Sequence, residues 1–191
     1  GVTAGTYVTQ YGDAAPTFSA SHPRADGGTA QSNTSATGIP LTETNLETAR
    51  IALLNQLQDD GVPMVAPGEL YLVVGINNSK TAQIITGSDK RSGTANNDVN
   101  IYSGGYIKVL ESNWLDSGIS GASVGSNTQW FLIAPNWAKF AVVISAGPDL
   151  EYLKDKDTKS GLWDVILDLG VCSYDWRGTW GSLGDNVAYS G

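Results

Sequence analysis

The stretch from Thr42 to Pro63 constrains this chain more than any other. Thr44 and Glu47 have the spacing of a capping box, in which a hydroxyl and a carboxylate satisfy free backbone N–H groups at a helix start. Thr42 is a competing N-cap two residues earlier. Leu46, Ala49, Arg50, Leu53, Leu54 and Leu57 then recur at helical steps on one face, and Ile51 lies off that face. Asp59-Asp60-Gly61 followed by Pro63 gives a stop: Gly61 suits the left-handed position after a helix, and proline prevents continuation. The expectation is an amphipathic helix of about 17 residues, near 42–60, longer than the mean of roughly 11–12.

The other signals are shorter. Residues 1–40 have little periodicity: one short strand is expected near Tyr7 to Tyr11, with turns at Ala25-Asp26-Gly27-Gly28 and Gly38-Ile39-Pro40. Strands are expected at 69–74, 99–102, 106–110 and 130–134, with a short helix from Asn77 or Asn78 to Thr86. Residues 116–129, with three glycines, read as a surface loop. Residues 140–145 are an apolar run, and 150–154 alternate weakly. A long β-like stretch from Trp163 to Trp176 places Val165, Leu167, Leu169, Val171 and Ser173 on one side. The glycine-rich tail from Gly178 reads as extended. The order is an irregular arm, a long helix, mixed strands and a long final strand, which is an α+β class without βαβ alternation.

Composition narrows the function classes. The 191 residues suffice for one domain or two small intertwined ones. Eleven Lys and Arg against 19 Asp and Glu leave a net charge of -8, which argues against binding nucleic acid by phosphate neutralisation. A single cysteine, Cys172, excludes an intrachain disulfide framework and a multi-thiolate zinc site, and a single histidine, His22, excludes a multi-histidine metal centre. No apolar run approaches the roughly 20 residues of a membrane span, and Gly1-Val2-Thr3-Ala4-Gly5 lacks the basic start of an intact signal peptide. Charged residues are 16%, below the roughly 25% of ordinary soluble domains. Six Trp and eight Tyr accompany this low charge, a mixture that suits protein–protein contact as well as a core.

No strong catalytic signature emerges, and no catalytic, cofactor-binding or metal residue is assigned. Gly118 to Gly125 is glycine-rich but lacks the lysine of a phosphate loop. Within it, Gly121-Ala122-Ser123-Val124-Gly125 matches a nucleophile elbow in form, yet no strand leads in and no His follows Ser123. His22, in Ser21-His22-Pro23, reads as a packing or hydrogen-bonding group rather than a catalyst. Asp155, Asp157 and Gly161 resemble a calcium loop only loosely, without the third ligand and closing Glu. Cys172 lies in an expected strand and reads as a buried, inert thiol.

Several phrases resemble one family. Thr17-Phe18-Ser19-Ala20-Ser21-His22-Pro23, then Gly27-Gly28 and Gln31-Ser32-Asn33, precede Leu41-Thr42-Glu43-Thr44-Asn45-Leu46-Glu47-Thr48-Ala49. Pro67-Gly68-Glu69-Leu70-Tyr71-Leu72-Val73-Val74, Trp130 to Ala134, and Asp175-Trp176-Arg177-Gly178 follow in order. The series, over roughly residues 13–181, resembles the major capsid proteins of tailed bacteriophages and is close to the Mu-like prophage head-subunit branch. The resemblance implies a peripheral domain with a spine helix and long strand (1–66 and 148–191) and an axial domain (67–147). It places the 116–129 loop near a capsomer axis. It implies a structural, non-enzymatic virion protein without cofactors, assembled in the bacterial cytoplasm. Its partners would be other copies of itself in pentamers and hexamers, with scaffold, portal or decoration proteins, and neither membrane nor sequence-specific nucleic-acid binding. The family carries an N-terminal arm and an extended loop before the spine helix. Only 41 residues precede Thr42, so a fragment or processed product lacking them is expected.

Two other readings use the same residues. A non-viral shell of the same fold, an encapsulin-like nanocompartment, would be told apart by a cargo enzyme among its genomic neighbours. An extracellular carbohydrate-binding or carbohydrate-active domain would need Trp side chains along one exposed groove beside a carboxylate pair.

Overall fold

The structure is a computed structural model, and it describes residues 15–90, 98–116, 126–154 and 161–184. The expected strand near Tyr7, the glycine-rich segment with Ser123, and Asp155 and Asp157 lie outside the described residues. The fold is mixed α+β, with two α-helices and two sheets among the described residues.

The first helix, α1, runs Glu43–Leu54. Thr42 wins the competition for its cap, accepting from the Asn45 backbone N–H at 3.2 Å. Glu47 does not close a capping box. It accepts two hydrogen bonds from the Arg50 guanidinium, at 2.8 and 2.7 Å, and one from the Tyr102 hydroxyl at 2.5 Å. The helix also stops short of Asp60, because the backbone beyond it is spent elsewhere. Leu57 N–H donates to Gln31 Oε1, and the Leu57 carbonyl accepts from Gln31 Nε2 and Arg177 Nε. Gly61, with φ +82°, serves the turn that bridges Leu57 to Pro63 rather than the helix end.

Strand β1 (Leu70–Val74) follows, then helix α2 (Ile76–Gly87), and β2 (Ile107–Glu111) lies parallel to β1. This is a βαβ unit, which the sequence reading missed. Residues 99–102, expected as a strand, make one bridge and then turns. Asn100 Nδ2 holds them by donating to the Ile85 and Ser88 carbonyls, at 2.6 and 2.7 Å. Neither Asn77 nor Asn78 caps α2: its N-cap is Gly75, and Asp116 Oδ2 accepts from Ile76 N–H at 2.9 Å.

Strand β3 (Trp130–Ile133) runs antiparallel to β1. Two long strands come next, β4 (Lys139–Lys154) and β5 (Gly161–Asp175), and among the described residues they pair only with each other. The last strand, β6 (Thr179–Ser182), returns to pair with β3, completing a sheet of order β2-β1-β3-β6. It is the ordered part of the tail that read only as extended. All four of its residues are buried.

Alternation sets the core. Leu70, Leu72 and Val74 share one face of β1 with Trp130 and Leu132 of β3 and Trp180 of β6. They form one cluster with Leu46, Ala49 and Leu53 of α1 and Ala82 of α2. Phe18 lies against Phe131 with ring centroids 5.1 Å apart. Of the six tryptophans four are buried, whereas Trp114 and Trp163 are exposed.

Candidate functional site

Two features are adjacent: a buried polar cluster where the long strands leave the sheet, and the uncovered ribbon those strands make. The cluster is centred on Asn33, which is fully buried. Asn33 Oδ1 accepts from Ser19 N–H at 2.9 Å and faces His22 Nε2 at 3.1 Å. Asn33 Nδ2 donates to the Thr17 carbonyl at 2.6 Å and to Thr179 Oγ1 at 3.1 Å. Since Asn33 Oδ1 has no proton to give, this contact requires the His22 tautomer with hydrogen on Nε2. His22 is itself fully buried and stacks flat on Trp176, with ring centroids 4.1 Å apart. It is a packing and hydrogen-bonding residue, as its sequence context indicated.

Gln56 supplies the tie to α1. Its Oε1 accepts from Gly178 N–H at 2.7 Å and its Nε2 donates to the Thr179 carbonyl at 3.0 Å. Arg177 adds a mostly buried guanidinium that donates to the Leu57 carbonyl, Asp175 and Asp59. It also lies over the Trp176 ring, 5.0 Å from the centroid. Gly178 has φ +76°, and a Cβ there would sit 2.5 Å from Trp137 Cβ, so only glycine fits. Residues from both ends of the chain therefore lock the point where β4 starts and β5 ends. Burial makes such a network rigid when it is fully satisfied.

The ribbon beyond that root is two-faced. The register pairs Val142 with Val171, Ile144 with Leu169, Leu150 with Val165 and Tyr152 with Trp163. With Phe140 and Leu167, these make one continuous face of ten large apolar side chains, each between 51% and 64% exposed. The Tyr152 and Trp163 rings touch, with centroids 4.9 Å apart. The opposite face is small near the root, at Ala141, Gly170 and Cys172, and carries only two exposed large apolar side chains among the described residues, Val143 and Ile166. Further out it carries exposed Asp149, Glu151, Asp164 and Asp168. Glu151 and Asp164 are direct cross-strand partners, a like-charge pair that weakens the ribbon slightly. Cys172 is half-buried, not buried as expected, because among the described residues its strand pairs with β4 alone and lies outside the four-stranded sheet.

Leu167, Leu169 and Val171 were legible from alternation in β5. Their partners on β4 were not, because the apolar run and the weak alternation read as separate pieces. Among the described residues no group of three or more His, Cys, Asp or Glu side chains is placed to hold a metal ion. Among the described residues no helix is long and apolar enough to cross a membrane. No protein-family model matches the chain, and no curated protein matches it at a significant level.

Proposed function

We propose that this chain is a structural subunit of a closed protein shell, the major capsid protein of a tailed bacteriophage, and that it works by self-association rather than catalysis. The observation that carries the reading is the ribbon: a long apolar face left uncovered and held at a rigid root. An isolated two-stranded ribbon is marginal in water, so a face of this kind calls for a neighbour. The phrases that resemble the capsid family add support. Phe18, His22, Asn33, Trp176, Arg177 and Gly178, scattered in sequence, share one buried neighbourhood. Their spacing thus has a common purpose, the anchoring of the ribbon. The net charge of -8 suits the inside of a DNA container, where few free cations would hold the genome to the wall.

Electron microscopy of the full-length gene product tests this reading. Closed shells, or rings of five and six copies, are the expected result. A monodisperse monomer at high concentration, in the presence and absence of the neighbouring head genes, would overturn it.

A further inference from the structure

We infer that the apolar face of the ribbon packs against the same face of a second copy, the two ribbons running antiparallel about a two-fold axis close to Leu167 and Leu169. This deepens the shell reading, on which it rests for the identity of the partner.

Three observations select this occupant. The first is area. Ten apolar side chains just over half exposed offer on the order of 1,000 Å², against roughly 800 Å² that each partner gives to a standard interface. The head of the molecule, the four-stranded sheet with its two helices, offers a groove of another kind. Its groove beside α1, of about 400 Å³, is lined by Glu43 and Glu47 as well as Ile51, Val99 and Ile101. That groove suits one inserted side chain, not a sheet face.

The second is charge. Packing apolar face to apolar face leaves Asp149, Glu151, Asp164 and Asp168 of both copies pointing outward into solvent. Packing the apolar face of one ribbon on the opposite face of another would bury those carboxylates without a cation.

The third is the pattern along the ribbon. Aromatic residues stand at both ends, Phe140 near the root and Tyr152 with Trp163 near the tip, and the middle is aliphatic. An antiparallel arrangement lays root on tip, so that aromatic meets aromatic and the Leu, Ile and Val side chains interdigitate about the axis, as in a face-to-face sandwich. It also sets the two heads at opposite ends of ribbons about 45–50 Å long, where they do not collide. A parallel arrangement would force the heads together.

The experiment uses the whole 191-residue chain carrying Leu167→Cys in a Cys172→Ser background, treated with a short bismaleimide. Position 167 lies near the proposed axis, so a covalent homodimer is expected, together with a dimer in sedimentation. Leu167→Asp should raise the dimer dissociation constant ~1,000-fold, because the symmetry counts each substitution twice. Its slow hydrogen exchange at β1 and β3 should stay unchanged, since those strands lie in the covered four-stranded sheet away from the ribbon. A monomer, an oligomer without the 167–167 link, or a link formed only between position 167 and an Ile51→Cys variant would each overturn the inference. Shells without the 167–167 link would leave the shell reading standing and sink this contact. The link without shells would do the reverse.

Discussion

The His22 imidazole lies flat on the Trp176 indole, 4.1 Å between ring centroids and 9° between planes, with Asn33 holding the outer edge of the imidazole. The stack joins the irregular segment before α1 to the residue just after the ribbon ends. Asn33→Leu removes the partners of Ser19 N–H, His22 Nε2 and the Thr179 hydroxyl together, and should cost about 3 kcal/mol. His22→Phe keeps a ring on Trp176 and leaves Asn33 bonded to Ser19, so about 1–2 kcal/mol is expected. Urea unfolding followed by tryptophan fluorescence checks the order; equal losses would show that Asn33 is not the hub.

Gly178→Ala should be among the most damaging single-methyl additions in the chain. Both the left-handed backbone and the approach of Trp137 and Ala138 oppose it, and a loss of about 3 kcal/mol or more is expected. Gly104→Ala, which meets nothing within 4 Å, serves as the control and should shift the midpoint little. Paired denaturation curves decide the matter.

Glu47 should make α1 sensitive to acid. Hydrogen bonds from Arg50 first, and then Tyr102, hold its carboxyl below the ordinary 4.5, while burial pushes the Tyr102 phenol up so that it stays a donor. The folded state thus takes up the Glu47 proton less readily than the unfolded chain. Its contribution is complete above pH 4.5 and is lost as pH falls through the lowered value. The carboxylate is about a third exposed, so the loss should be about 1 kcal/mol or less. Glu47→Gln should flatten that part of a stability–pH curve between pH 3 and 6; an unchanged curve would remove Glu47 as its source.

Hydrogen exchange should divide the molecule in two. Amides of β1, β3 and β6 lie in a covered sheet and should exchange only on global opening, whereas those of β4 and β5 outside the root should exchange orders of magnitude faster in dilute protein. Raising the concentration should slow the ribbon selectively. Ribbon amides as slow as those of β3 at the lowest concentration would mean that the chain covers its own ribbon.

Much of the head was readable from local pattern. Leu46, Ala49 and Leu53 announce α1, Leu70, Leu72 and Val74 announce β1, and the Trp130 to Ile133 run announces β3. What escaped the reading depended on distant partners. The end of α1 is set by Gln31 and Arg177, which compete for the Leu57 backbone, and no local signal carries that information. β6 was hidden because Thr179 to Ser182 is short and polar, and it is a strand only because β3 lies beside it. The two-faced ribbon was half visible: odd positions in β5 gave its apolar side, but register shifts within β4 broke the matching alternation.

Those shifts have a mechanical consequence. From Ile144 to Leu150 β4 takes six steps where β5, from Leu169 to Val165, takes four, and Pro148 in that stretch has no N–H to give. The arm is therefore jointed at mid-length, like a forearm beyond a fixed shoulder. Bending there would change the angle of the tip while leaving the anchorage at Gly178 untouched, and in the proposed shell it would let identical copies meet on surfaces of unequal curvature.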